Sequence, residues 1–253
     1  MTKEETMKNY KNFKSMVKSR KEPFNQFIKF LENESSWLKS PASTRFHLNE
    51  EGGLLKHSVG VANTLLQLRE FMAPALSKES CVIVSLFHDV GKADTMTISD
   101  RIRFNEHDKK GAEITESVCQ RLKMSNKETE HIVDLVAQHM KFINVQNMRE
   151  SKLKRFLRQE NFDNHLELHR IDCLSSHKKL DHYQFCIDKL KEYESDEKKL
   201  NPPKLIDGEK LKELGLIPGP LFAQILTEIE NSQLEGKITT EEEAIIFVQS
   251  NYL

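Results

Sequence analysis

The sequence predicts an all-α protein, and two observations carry that expectation. Glycine and proline are scarce, nine and seven in 253 residues, so tight turns are few. Every long apolar pattern recurs at three to four residues, the spacing of one helix face.

Residues 1–22 are rich in Lys and Glu and only weakly amphipathic, which suits a surface helix or a frayed tail. From Pro23 the pattern strengthens, with Phe24, Phe27, Ile28, Phe30 and Leu31 ahead of Trp37. The stretch SPASTRFHLNEEGG, 40–53, reads as a loop with turn formers at both ends. Leu54, His57, Val61, Leu65 and Leu68 then share one helix face. Residues 79–90, containing the run CVIVSLFHDV, are nearly all apolar and suit a helix at the centre of a bundle. Helices are expected over 109–122, 126–140 and 149–159, and one or two more over 161–194 with a break between Ser175 and Asp181.

Pro202-Pro203, after the charged run ESDEKK, marks a boundary. Three short helices follow, in EKLKELGL, PGPLFAQILTEIENSQLEG and TTEEEAIIFVQSNYL. Gly215 and Gly236 stand where C-caps belong, and Thr239 or Thr240 where an N-cap belongs. The expected division is an N-terminal helical segment at 1–46, a central domain at 47–200 and a helical extension at 201–253. The extension has too few apolar positions to fold alone and should dock on the central domain.

Thirty-eight Lys and Arg against 39 Asp and Glu leave no global charge to attract nucleic acid or a membrane. The N-terminus has no apolar signal segment, and no apolar run approaches the roughly 20 residues that span a bilayer. A cytoplasmic protein is expected. Cys81, Cys119, Cys173 and Cys186 are widely spaced, form no C-x-x-C pair and read as reduced, buried thiols.

Several titratable residues sit in apolar patterns. His57 lies on the apolar stripe of its helix, and His88-Asp89 close the run at 79–90. His139 is in register with Ile132, Leu135 and Val136, and Asp172 shares a side with Leu168. One buried histidine is usually satisfied by a backbone carbonyl. Four or more such groups on separate helices point instead to a shared cation, which offsets the cost of burying them together. His131, His165, His177 and His182 read as solvated or capping residues, while His47 and His169 stay open.

With those residues in view, 57–172 resembles the HD superfamily of metal-dependent phosphohydrolases, whose pattern is H…HD…D. The matching strings are GGLLKHS with His57, LFHDVGK with His88-Asp89, and HRIDCLSSH with Asp172. His107 in NEHDKKGAE and His139 in AQHMKF resemble the extra histidines of members that hold two metals. Gln138 departs from the His-His pair found there in many relatives. The resemblance implies an HD-domain helical bundle with a helical C-terminal extension. It also implies a site holding one or two divalent transition ions, with Mn, Fe, Ni, Zn and Mg left undistinguished. Its ligands would be His57, His88, Asp89, His107, His139 and Asp172. Asp89 would be shared if two ions bind.

Residues 201–244, with G-E-K-L, L-G-L-x-P-G-P and Q-L-E-G-x-I-T-T in order, resemble the C-terminal tail of bacterial CCA-adding tRNA nucleotidyltransferases. No Gly-Ser followed by D-x-D occurs, so nucleotide addition is not expected.

The activity these resemblances imply is hydrolysis of phosphodiesters or phosphomonoesters on nucleotides or RNA 3′ ends, such as 2′,3′-cyclic phosphates. Asp89 and Lys92 would serve catalysis. Lys92, one turn after His88, is either a phosphate contact or an exposed helix-end lysine, and the resemblance favours the contact. Arg45 is a weaker substrate contact. The alternative is a non-catalytic module that binds tRNA or another polynucleotide around a structural metal. Residues 149–158, RESKLKRFLR, are either a polyanion track or a solvated helix face.

Overall fold

A computed structural model of the chain describes residues 1–44, 48–72, 77–194 and 197–253, with side chains at 71, 72, 197 and 198 left aside. The expected all-α class is what the structure has. The helices are α1 (Lys3–Met16), α2 (Lys21–Asn33), α3 (Gly53–Met72), α4 (Lys78–Phe87), α5 (Lys92–Thr95), α6 (His107–Arg121) and α7 (Asn126–Gln138). After a 3-10 turn, His139–Asn147, come α8 (Glu150–Leu157), α9 (Phe162–Ser175), α10 (Asp181–Glu194), α11 (Glu197–Leu200), α12 (Gly208–Glu213), α13 (Pro220–Leu234) and α14 (Glu241–Tyr252). Strands β1 (Met96–Ile98) and β2 (Ile102–Phe104) form one antiparallel hairpin, with Met96 opposite Phe104. Among the described residues no helix is long and apolar enough to cross a membrane.

Contacts group the chain differently from the three-part division expected of the sequence. One unit comprises 1–142 and 163–181, the other 143–162 and 182–253. Residues 1–46 are no separate segment, because α1 and α2 supply core to the first unit. Thr2 and Glu5 form a capping box that starts α1. Tyr10, Phe13 and Val17, at three- and four-residue spacing, are then buried, so 1–22 is neither a surface helix nor a frayed tail. The many lysines between these positions hid the stripe.

The first unit's core aims the chain at one place. Phe24 and Phe27 of α2 pack on Phe87, the last residue of α4, and the Phe27–Phe87 rings meet edge to face at 4.8 Å. That contact anchors the turn His88–Lys92. The turn in turn presses on the start of α6: a Cβ at Gly91 would lie 2.2 Å from the His107 carbonyl oxygen and 2.5 Å from the Gly111 nitrogen. Only glycine permits that approach.

In the second unit Ile206, Leu211, Ile225, Ile229, Ile238, Ala244 and Val248 form the core. Gly215 and Gly236 have the positive φ of C-caps, 93° and 70°. Thr240 starts α14 with a capping box to Glu243. The basic stretch 149–158 is not a free track. Arg155 and Arg158 both pair with Glu230, Arg149 with Glu235, and the Lys154 ammonium donates to the Leu234 carbonyl at 2.7 Å.

Candidate metal centre

Six side chains converge from separate elements of the first unit. His57 comes from α3, His88 from the C-cap of α4, and Asp89 from the residue after it. His107 opens α6, His139 caps α7, and Asp172 lies one turn before the end of α9. His57, His88 and Asp172 form one cluster of ligand atoms, and Asp89, His107 and His139 a second.

Asp89 stands between them. Its Oδ2 is 3.4 Å from His57 Nε2 and 3.5 Å from His88 Nε2, while its Oδ1 is 3.5 Å from both His107 Nε2 and His139 Nε2. Asp172 Oδ1 is 3.0 Å from His57 Nε2. Burial is nearly complete except at Asp172, whose side chain is 33% exposed and forms the solvent side of the cluster.

Backbone carbonyls fix the ring nitrogens. His88, His107 and His139 each direct Nδ1 at the carbonyl three residues earlier: Ser85 at 2.9 Å, Phe104 at 2.8 Å and Val136 at 2.6 Å. A carbonyl only accepts, so each Nδ1 carries a proton and each neutral ring offers a bare lone pair at Nε2. His107 and His139 nevertheless bring those Nε2 atoms to 3.2 Å from one another, beside a carboxylate oxygen that also only accepts. Acceptors converging on one point without a donor are matched by a cation. The donor set of imidazole nitrogen and carboxylate oxygen suits a divalent transition ion.

Electrostatics sort the histidines. Burial pushes His88 and His107 down to about 4, so both are neutral near pH 7. Burial acts the same way on His57, but the Asp172 and Asp89 carboxylates outweigh it and raise the imidazole to about 9. His139 is also raised, against burial, by Asp89. Asp89 itself lies well below the usual carboxylate range, against burial, through the Lys92 charge and the surrounding imidazoles.

A pH dependence of metal affinity follows. His57 is protonated in the metal-free site at neutral pH, and a cation bound at Nε2 must displace that proton. Affinity should therefore rise with pH, by up to roughly tenfold per unit for this one proton, and level off above about 9. Calorimetric titration of metal-free protein in buffers of different ionisation heat counts the protons released at pH 7. Zero protons, with affinity flat from pH 7 to 9, would contradict the assignment.

Lys92 is not an exposed helix-end lysine. Its ammonium donates to Asp89 Oδ2 at 2.7 Å and to the Ala42 carbonyl at 2.9 Å, and its side chain is 15% exposed. Arg45 and His47 lie outside the described residues. His165 is not solvated: it is buried, with Nε2 3.0 Å from Asp134. His169 is stacked on Phe142, ring centroids 4.3 Å apart, beside Cys173. Gln138 turns to Asp134 and to Lys141.

Residues 54–175 match the family model of the HD domain. That stretch, just under half of the chain, is similar to HD domains, a superfamily of metal-dependent phosphohydrolases that bind divalent ions. It is also similar to an A-adding tRNA nucleotidyltransferase of Deinococcus radiodurans, 28% identical over 65% of this chain and 40% of that protein. A CC-adding tRNA nucleotidyltransferase of Synechocystis sp. is 37% identical over 27% of this chain and 17% of that protein. The matched region thus spans less than half the length of either relative.

Proposed function

We propose that this HD domain is a divalent-metal-dependent phosphohydrolase of the cytoplasm, acting on phosphoesters of nucleotides or RNA 3′ ends, 2′,3′-cyclic phosphates among them. The observation that carries the reading is Asp89, with one oxygen toward His57 and His88 and the other toward His107 and His139. His57, His88 and Asp172 would hold one ion and His107 and His139 a second, with Asp89 shared. A divalent ion bound there supplies an activated water near neutral pH and offsets negative charge on phosphoryl oxygens.

The chain's own groups prepare that chemistry. The three carbonyl-anchored rings keep their lone pairs on the cluster, and His88 and His107 are neutral without having to lose a proton. Lys92 fixes Asp89 and keeps it ionised. It uses two of its three donors on Asp89 and Ala42, and we assign the third to a phosphoryl oxygen of the substrate.

The test is a metal-supplemented screen of stripped protein with Mn, Fe, Ni, Zn and Mg. Substrates are p-nitrophenyl phosphate, bis-p-nitrophenyl phosphate and RNA ending in a 2′,3′-cyclic phosphate. Metal-dependent turnover of at least one diester is expected, and no turnover under any metal would overturn the reading. The second reading, a non-catalytic tRNA-binding module, draws on relatives named for tRNA rather than for hydrolysis. It predicts RNA binding in that same screen without turnover.

A further inference from the structure

The cluster meets solvent on the Asp172 side, and the chain beyond Asp172 is cationic. Helix α9 ends at Ser175, about one turn or roughly 5 Å past Asp172 along its axis. The loop that follows exposes His177, Lys178 and Lys179 in succession. Among the described residues neither Lys178 nor Lys179 has an ion-pair partner. The acid that follows, Asp181, stands in the first turn of α10, where the helix N-terminus already stabilises it.

This loop is built rather than slack. The Lys178 and Ser176 N–H groups both donate to the Cys173 carbonyl, at 2.8 and 3.1 Å. The Lys179 N–H donates to His177 Nδ1 at 3.0 Å. Upstream, the Ser175 hydroxyl donates to Thr64 on α3 at 3.1 Å, on the same helix that supplies His57. Lys178 holds a φ of 60°, a conformation that favours glycine, so a lysine there adopts it at some cost. Two adjacent exposed lysines thus follow Asp172, the most exposed member of the cluster, on a loop whose backbone is tied by hydrogen bonds.

We propose that Lys178 and Lys179 form a subsite for a second phosphate, next to the one hydrolysed. The preferred substrate is then the end of a single-stranded oligonucleotide rather than a mononucleotide. The inference rests on the phosphohydrolase reading above and narrows its substrate class. Isolated helix-end lysines have another explanation, since cations just past a helix C-terminus also complement its dipole. Lys123 separates the two. It is likewise exposed, likewise of positive φ (53°) and just past the end of α6, but the cluster member on that helix, His107, stands at its opposite end.

The experiment uses the full chain and a 5′-fluorescein-labelled single-stranded RNA ending in a 2′,3′-cyclic phosphate, with binding read by anisotropy across a potassium chloride series. Lys178→Gln with Lys179→Gln should weaken binding about tenfold at low salt. It should also reduce the slope of log affinity against log salt by roughly 0.7 for each phosphate that is no longer neutralised. Lys123→Gln should change neither quantity. With turnover, KM for the labelled RNA should rise while kcat holds. Metal content and melting temperature of the double variant establish that the cluster is intact. If wild-type protein does not bind the RNA, or the double variant matches Lys123→Gln, the subsite is refuted. Lysine-dependent, salt-sensitive binding without hydrolysis under any metal would instead support the subsite while sinking the phosphohydrolase reading.

Discussion

Replacing Asp89 with alanine is expected to lower phosphoester hydrolysis by about three orders of magnitude or more, equivalent to roughly 4 kcal/mol of transition-state stabilisation. Asp89 directs one carboxylate oxygen at each half of the cluster. Asp89 Oδ2 faces His57, His88 and Lys92, and Oδ1 faces His107 and His139. Its removal leaves the Lys92 ammonium and the raised imidazole of His57 without the buried anion that offsets them. Asp89→Asn keeps the shape and removes the charge, which separates a missing ligand from a collapsed fold. Both variants should purify with less metal than wild type. Asp172→Asn should lose metal from the His57–His88 side alone, and His107→Ala or His139→Ala from the other. Elemental analysis and turnover of bis-p-nitrophenyl phosphate read these outcomes. Near-normal turnover by Asp89→Asn would sink the assignment, and equally small effects at His107 and His139 would favour a single ion.

Much of this cluster was legible in the sequence because helices write burial as period. His57 and His139 sit in apolar stripes, and His88-Asp89 end a run that only a buried helix explains. What could not be read is backbone. The carbonyls of Ser85, Phe104 and Val136 that orient three imidazoles, and the Ala42 carbonyl that holds Lys92, belong to residues whose side chains say nothing of the role. The hairpin between Lys92 and His107 was missed for another reason: three-residue strands are shorter than any alternation pattern can register. Tyr10, Phe13 and Val17 did carry a helical period, but lysines on the opposite face lowered the contrast. The expectation for 149–158 failed on pairing. Five basic residues in ten read as a surface, yet Glu230 and Glu235, some eighty residues away in sequence, take up three of them.

Those pairings set the outcome of truncation. From sequence alone, a chain ending near Lys199 should keep its metal if the core survives, and its activity on small diesters, since all six candidate ligands precede the cut. The six candidate residues lie in the first unit, but 143–162 and 182–200 group in the second with the extension. Cutting at Lys199 removes the whole apolar cluster of Ile206 to Val248. It also removes Glu230, Glu235 and the Leu234 carbonyl, the partners of α8. Lys154, buried to within 8% of full enclosure, then loses its carbonyl acceptor. The truncated chain should therefore be cut by trypsin within 149–158 far faster than the full chain, whatever its metal content. A gentler variant isolates the central interaction. Lys154→Met keeps the apolar stem and deletes a hydrogen bond from a charged donor, for a cost of about 1.5–3 kcal/mol. The ion pair to Glu150 adds little, because that carboxylate is 42% exposed. Melting of the second unit should fall by roughly 6 °C or more for a unit of this size, with metal binding in the first unit unaltered. Equal trypsin resistance of the two chains, and an unshifted Lys154→Met transition, would mean that α8 does not depend on the extension.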